Sequence, residues 1–167
     1  DLAASTVTRK LEKDGVHISY QHRKSNLPRE TSLVLYSSAV PQNNEELLEA
    51  RRRQLKVVSY NEYLGKLSKE YRTVGISGTH GKTTTTAMTG YILKESGKDP
   101  MVIVGSLIPQ FGNRNYHHGS ERTLILEADE YRAHMLLLHP SIIVINNLEA
   151  DHLDFYRNLD DIIRTFK

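Results

Sequence analysis

Apolar and polar positions follow two different periods along this chain, and the two alternate. Helical spacing in "ASTVTRKLEKDG" predicts a helix that stops at Gly15. "VHISY" and "TSLVLYSSA" read as strands, the second closing on small residues before Pro41. "NNEELLEARRRQL" predicts a helix opened by Asn, with Glu early and Arg late to suit the helix dipole. "KVVS" then reads as a strand and "YNEYLGKLSKE" as a helix. The order restarts with a strand in "YRTVGISG" and a helix in "GKTTTTAMTGYILKESG", which Gly97 ends, followed by a strand in "PMVIVG". "SLIPQFGNRNYHHGSE" is polar and reads as a long loop. "RTLILEADE" and "PSIIVINNLEADHLD" are strands that run at once into acidic residues. Strand and helix in alternation predict an α/β fold with parallel sheets and helices on their faces. The restart places a boundary between Gly65 and Tyr71, dividing residues 1–70 from 71–167.

Composition narrows this only a little. The 167 residues suffice for one large domain or two small ones with a real core. A net charge of +2 gives no reason to expect a polyanion-binding surface. The apolar runs "SIIVI" and "MLLL" are too short to cross a membrane. Without cysteine there is neither a disulfide nor a thiolate metal site. Nothing at the start reads as a signal peptide, so a cytoplasmic location is the default expectation. The chain opens on Asp1 rather than Met and closes on "DDIIRTFK", which reads as the middle of a helix. An excerpt of a longer protein is therefore expected.

The chemistry concentrates in "GISGTHGKTTTT", Gly75 to Thr86. A strand, a glycine turn, Lys-Thr and a helix are the parts of a phosphate-binding loop. Glycines let backbone N–H groups close on phosphate oxygens, and the helix turns its positive end to the anion. Lys82 would neutralise the outer phosphates and the Thr83 hydroxyl would hold magnesium. The strict pattern G-x-x-x-x-G-K-[ST] is not met, because Ile76 stands where its first glycine would be. The competing reading is a glycine-capped turn into a threonine-rich helix, which poor helix propensity makes unattractive. Parallel sheets bind ligands at the carboxyl ends of their strands. Three strands here end in chemistry: one in the loop, one in Glu127 and Asp129, one in Glu149, Asp151, His152 and Asp154. Of Glu127 and Asp129, one is expected at a metal. Spacing alone leaves His152 either structural or a ligand, and imidazole suits manganese better than magnesium. His117 and His118 are expected in solvent, His139 in a turn before Pro140, and Arg51, Arg52 and Arg53 at a solvated helix end.

Together, "GTHGKTTTT", "EADE" and "NNLEADHLDFY", in this order and spacing, resemble the Mur ligases of peptidoglycan synthesis. "SSAVPQNNEEL" resembles a segment of their UDP-binding domain, and the likeness covers essentially the whole chain. The resemblance implies a Rossmann-like UDP-substrate domain over residues 1–70, its start missing. A P-loop parallel-sheet ATP-binding domain over residues 71–167 would follow, its end missing. His80, where sister ligases typically carry Asn or Ser, points to the members that join UDP-N-acetylmuramate to L-alanine. In that reaction the lactyl carboxylate attacks the γ-phosphate of ATP, and the amine displaces phosphate from the resulting acyl phosphate. By the same resemblance Gly78, Thr79, His80, Gly81, Lys82, Thr83 and Thr84 match the ATP loop. Thr83 and Glu127 match ligands of one Mg2+, and Glu127 with His152 those of a second, Mn2+ being a possible substitute. Lys82, Glu127 and His152 form the expected catalytic set. Ser37, Ser38 and Ala39 match residues near the UDP diphosphate, and Asp1 an acid near the nucleoside. Family members often read "EADESD" where this chain reads "EADEYR". The expected partners are UDP-N-acetylmuramate and L-alanine as small-molecule substrates, with no nucleic acid and no membrane. This piece alone is expected to be inactive. A tripeptide-recycling murein ligase shares "GTHGKT" and "EADEY" but typically differs at "SSA". A non-catalytic nucleotide-binding module would need only the loop, and the convergent acids and His152 count against it.

Overall fold

The structure is a computed structural model that describes residues 3–129, 131–151 and 155–166, with the backbone alone at Tyr131 and Arg132. The chain divides into two compact units, the first ending at Tyr63 and the second beginning at Leu64.

In the first unit, helix α1 (Thr6–Lys13) starts at Ser5, whose hydroxyl accepts from the Thr8 backbone while Thr8 answers with its own side chain. Strands β1 (Leu33–Tyr36) and β2 (Lys56–Ser59) pair in parallel, Val34 beside Val57 and Leu35 beside Val58. Between them lies α2 (Glu45–Arg52). Asn44 caps it, its Oδ1 accepting from Glu46 N at 2.9 Å and Leu47 N at 3.3 Å. Leu47, Ala50 and Val58 form the buried centre.

Two expectations change here. The "VHISY" segment joins no ladder, because alternation specifies extended backbone but not a partner to pair with. Arg53 is not a solvated end of the helix. Its guanidinium donates to the carbonyls of Leu27, Pro28 and Arg29 at 3.0, 2.8 and 2.8 Å and pins that loop to α2.

Helix α3 (Tyr60–Glu70) leads to the second unit's sheet. That sheet contains β3 (Arg72–Ser77), β4 (Met101–Ile108), β5 (Arg114–His117), β6 (Thr123–Glu127) and β7 (Ile142–Ile145), in the order β5-β4-β6-β3-β7. All neighbouring pairs are parallel except β4 with β5. Helix α4 (Lys82–Glu95) packs on β4 and β6, and α5 (Leu159–Thr165) is capped by Asn158. Leu124, Ile125 and Leu126 are fully buried in β6, as expected of a strand covered on both faces. Ile76, Val102, Val104, Phe111 and Ile125 form the core cluster.

The stretch read as a long loop is instead a hairpin. Strand β4 runs on to Ile108, a single tight turn follows at Pro109–Phe111, and β5 returns antiparallel. Buried Phe111 supplies the apolar anchor that the polar composition concealed. His117 is correspondingly not in solvent. Its ring stacks on Phe111 at 5.6 Å and its Nε2 lies 2.8 Å from Asp99 Oδ1. His118 is exposed, and exposed His139 donates its backbone N–H to Ser68 Oγ at 3.0 Å.

Candidate functional site

Strand β3 delivers the chain to the carboxyl edge of the sheet, flanked by β6 and β7. There the backbone turns through Gly78 (φ 127°) and Gly81 (φ 80°), and α4 begins at Lys82. Both glycines are required. A Cβ at Gly78 would meet the backbone of Asn147 at 2.8 Å, and Gly81 holds the left-handed position before the helix. The first N–H groups of a helix have no intrahelical partner, so the positive end of α4 lies at this loop.

Lys82 folds over this turn. Its Nζ donates to the Gly78 carbonyl at 2.6 Å and reaches the Thr79 carbonyl at 3.4 Å, which fixes the ammonium at the loop. Thr83 is half-buried on the first turn of α4, and Thr84 is exposed. Thr79 and His80 face the segment after β7. The Glu149 N–H donates to Thr79 Oγ1 at 2.9 Å, and His80 Nε2 lies 3.7 Å from Glu149 Oε2.

Glu127 ends β6, and its Oε1 accepts from Gly105 N of β4 at 2.8 Å. Asp129 departs with the following turn, where its carbonyl accepts from Met135 N at 3.0 Å and its carboxylate lies 3.9 Å from His134 Nδ1. The two acids therefore serve different neighbours. The implied magnesium can be tested on donor chemistry. Thr83 and Glu127 both offer oxygen, which suits that ion. No group of three or more His, Asp or Glu side chains gathers at one point among the described residues, and His152 lies outside them.

In the first unit, Ser37, Ser38 and Ala39 are exposed in the turn at the carboxyl end of β1, where the Ala39 N–H donates to Ser37 Oγ at 3.3 Å. Asp1 lies outside the described residues.

Sequence reasoning assigned no role to Asn146 and Asn147, yet both hold the loop. Asn147 Oδ1 accepts from His80 N at 2.9 Å and its Nδ2 donates to His80 O at 3.2 Å. Asn146 Nδ2 donates to His80 O at 3.2 Å and Thr85 Oγ1 at 3.1 Å. A doubled Asn directly after a strand was the available signal, since short amides bond readily to nearby backbone.

A parallel-dominated sheet whose inner strand turns through two glycines into a Lys-Thr helix places the chain among the α/β proteins built around such a loop. The Mur ligase middle domain family matches residues 76–167, and the Mur ligase family, catalytic domain, matches residues 1–72. The chain belongs to the Mur ligase family.

It is 41% identical over its full length to UDP-N-acetylmuramate–L-alanine ligases of Caldicellulosiruptor bescii and Carboxydothermus hydrogenoformans. It spans 36% of the length of each of these relatives. The crystal structure of the UDP-N-acetylmuramate–alanine ligase of Thermotoga maritima superposes with a TM-score of 0.88 at 30% identity, over 99% of this chain and 39% of that one. A murein peptide ligase of Psychrobacter arcticus superposes with a TM-score of 0.80 at 25% identity, over 95% of this chain and 38% of that one.

Proposed function

We propose that the complete protein is an ATP-dependent ligase that joins L-alanine to the lactyl carboxylate of UDP-N-acetylmuramate through an acyl phosphate, in peptidoglycan precursor synthesis. The observation that carries this reading is Lys82 held across a glycine turn at the head of α4. It occurs in a chain 41% identical to ligases named for that reaction.

Residues 71–167 would form the ATP-binding domain and residues 1–70 the UDP-substrate domain. Gly78, Thr79, His80, Gly81, Thr83 and Thr84 would shape the phosphate cradle. Lys82 would balance the charge that develops on the outer phosphates. Thr83, Glu127 and His152 would hold Mg2+, or Mn2+ in its place, which when bound supplies charge neutralisation at the phosphates. Ser37, Ser38 and Ala39, at the carboxyl end of β1, would meet the UDP diphosphate, with Asp1 near the nucleoside. The setting would be the cytoplasm, where the nucleotide substrates are. No helix among the described residues is long and apolar enough to cross a membrane.

The test is product formation, followed by mass spectrometry, in the full-length protein given UDP-N-acetylmuramate, ATP and magnesium with either L-alanine or a murein tripeptide. Expected is the alanine adduct, with turnover in Lys82→Ala reduced by about a hundredfold or more. Tripeptide adduct alone would transfer the reading to the recycling ligases. Near-normal turnover by Lys82→Ala would remove the phosphate-loop assignment itself.

A further inference from the structure

The loop's peptide groups are not all turned toward a phosphate. Thr79 donates its N–H to the Asn147 carbonyl at 3.2 Å, and His80 donates its own to Asn147 Oδ1 at 2.9 Å. Asn147 Nδ2 returns a bond to the His80 carbonyl at 3.2 Å. The Asn147 carboxamide thus grips both sides of one residue's backbone, as a neighbouring strand would. Asn146 adds a second donor to the same carbonyl, at 3.2 Å, and continues to Thr85 Oγ1 at 3.1 Å. Its own N–H is held by Ser77 O at 3.0 Å. The middle of the glycine turn is therefore fixed from the segment that follows β7.

We propose that Asn147, supported by Asn146, is the positioning residue of the phosphate loop, fixing the His80 peptide so that Lys82 and the first turn of α4 face the nucleotide phosphates. This rests on the ligase reading above. Asn147 touches no reacting atom. It acts through His80, whose side chain is then free of the task of holding the turn. An alanine there leaves the His80 N–H without its acceptor and the His80 carbonyl with the Asn146 bond alone, and the turn is less restrained about its two glycines. The defect falls on binding of the triphosphate, since the substrates that dock elsewhere see no change.

The experiment uses the full-length protein and measures KM for ATP, UDP-N-acetylmuramate and L-alanine separately in Asn147→Ala, Asn147→Asp and Lys82→Ala. Asn147→Ala is expected to raise KM for ATP about tenfold, leaving the other two KM values within about twofold. Asn147→Asp keeps the acceptor for the His80 N–H but loses the donor and adds negative charge beside the phosphates. It should raise KM for ATP further, and it is read in place of the alanine variant if that does not fold. An unchanged KM for ATP, or equal losses against all three substrates, overturns the positioning role while Lys82→Ala remains inactive. If Lys82→Ala is active as well, the ligase reading falls and the inference with it.

Discussion

Asp99 joins two separated pieces of the second unit through one carboxylate. Oδ1 faces His117 Nε2 at 2.8 Å, and Oδ2 accepts from the Ser120 N–H at 2.8 Å and its hydroxyl at 3.0 Å. The bond to His117 first, and those from Ser120 next, hold its pKa down at about 2 against an ordinary 3.8. A carboxyl depressed in the folded state stabilises above its unfolded pKa and loses that contribution as pH falls through the folded one. The window is therefore from about 4 down to about 2. Asp99→Asn should melt below the parent at pH 6 and approach it at pH 2, measured by thermal denaturation followed by circular dichroism. A gap of constant size across that range would show that the charge on Asp99 is not what holds the hairpin.

Among elements, α4 shows most clearly how local preference yields to packing. Its threonines are poor helix formers, and each meets a different environment. Thr85 bonds Asn146, Thr83 sits half-buried at the candidate site, Thr84 is exposed, and Thr86 is fully buried with no partner for its hydroxyl among the described residues. Gly90 is the sharper case. Glycine in mid-helix costs about 1 kcal/mol relative to alanine, yet a Cβ there would lie 2.6 Å from Val102 Cγ2 and 2.9 Å from Cγ1. Val102 is itself fully buried and has nowhere to retreat. Gly90→Ala should therefore destabilise by about 1–3 kcal/mol despite its better propensity. Val102→Ala in the same chain should recover part of the loss. Denaturant unfolding of the single and double variants measures this, and a stabilised single variant would mean that α4 can move off the sheet freely.

At the scale of the molecule, the second unit's sheet has unlike edges. Strand β5 closes one with an antiparallel hairpin, whereas β7 bounds the other with Ile142, Ile143, Val144 and Ile145, each between 36% and 61% exposed. An apolar edge strand is a template for pairing with another chain. The 167-residue polypeptide should self-associate as its concentration rises, and Ile143→Lys should reduce this, as read by light scattering. Equal scattering from the two would place the association elsewhere. The same edge matters to the site, because β7 carries the chain into Asn146 and Asn147.

How much of this was legible in the sequence follows the reach of each signal. Periodicity, caps and glycine punctuation act within a few residues, so α1, α2, α4 and the strands leading to the loop and to Glu127 could be read directly. The order "GTHGKTTTT", "EADE", "NNLEADHLDFY" carried the family, because a motif is read from residue types and spacing along the chain without knowledge of packing. Pairing and packing are non-local, and no local pattern encodes them. "VHISY" alternates like a strand but pairs with none of the described strands, and a polar stretch became a hairpin because Phe111 reached the core. The Arg53 guanidinium found three carbonyls of the loop at residues 27–29, and Asn147 found the His80 backbone sixty-seven residues away. The sequence by itself determined the family and singled out the side chains proposed to carry its chemistry. Only the tertiary structure decided what holds them in place, because a hydrogen bond across the sheet exists only once the strands that bear its two ends lie side by side.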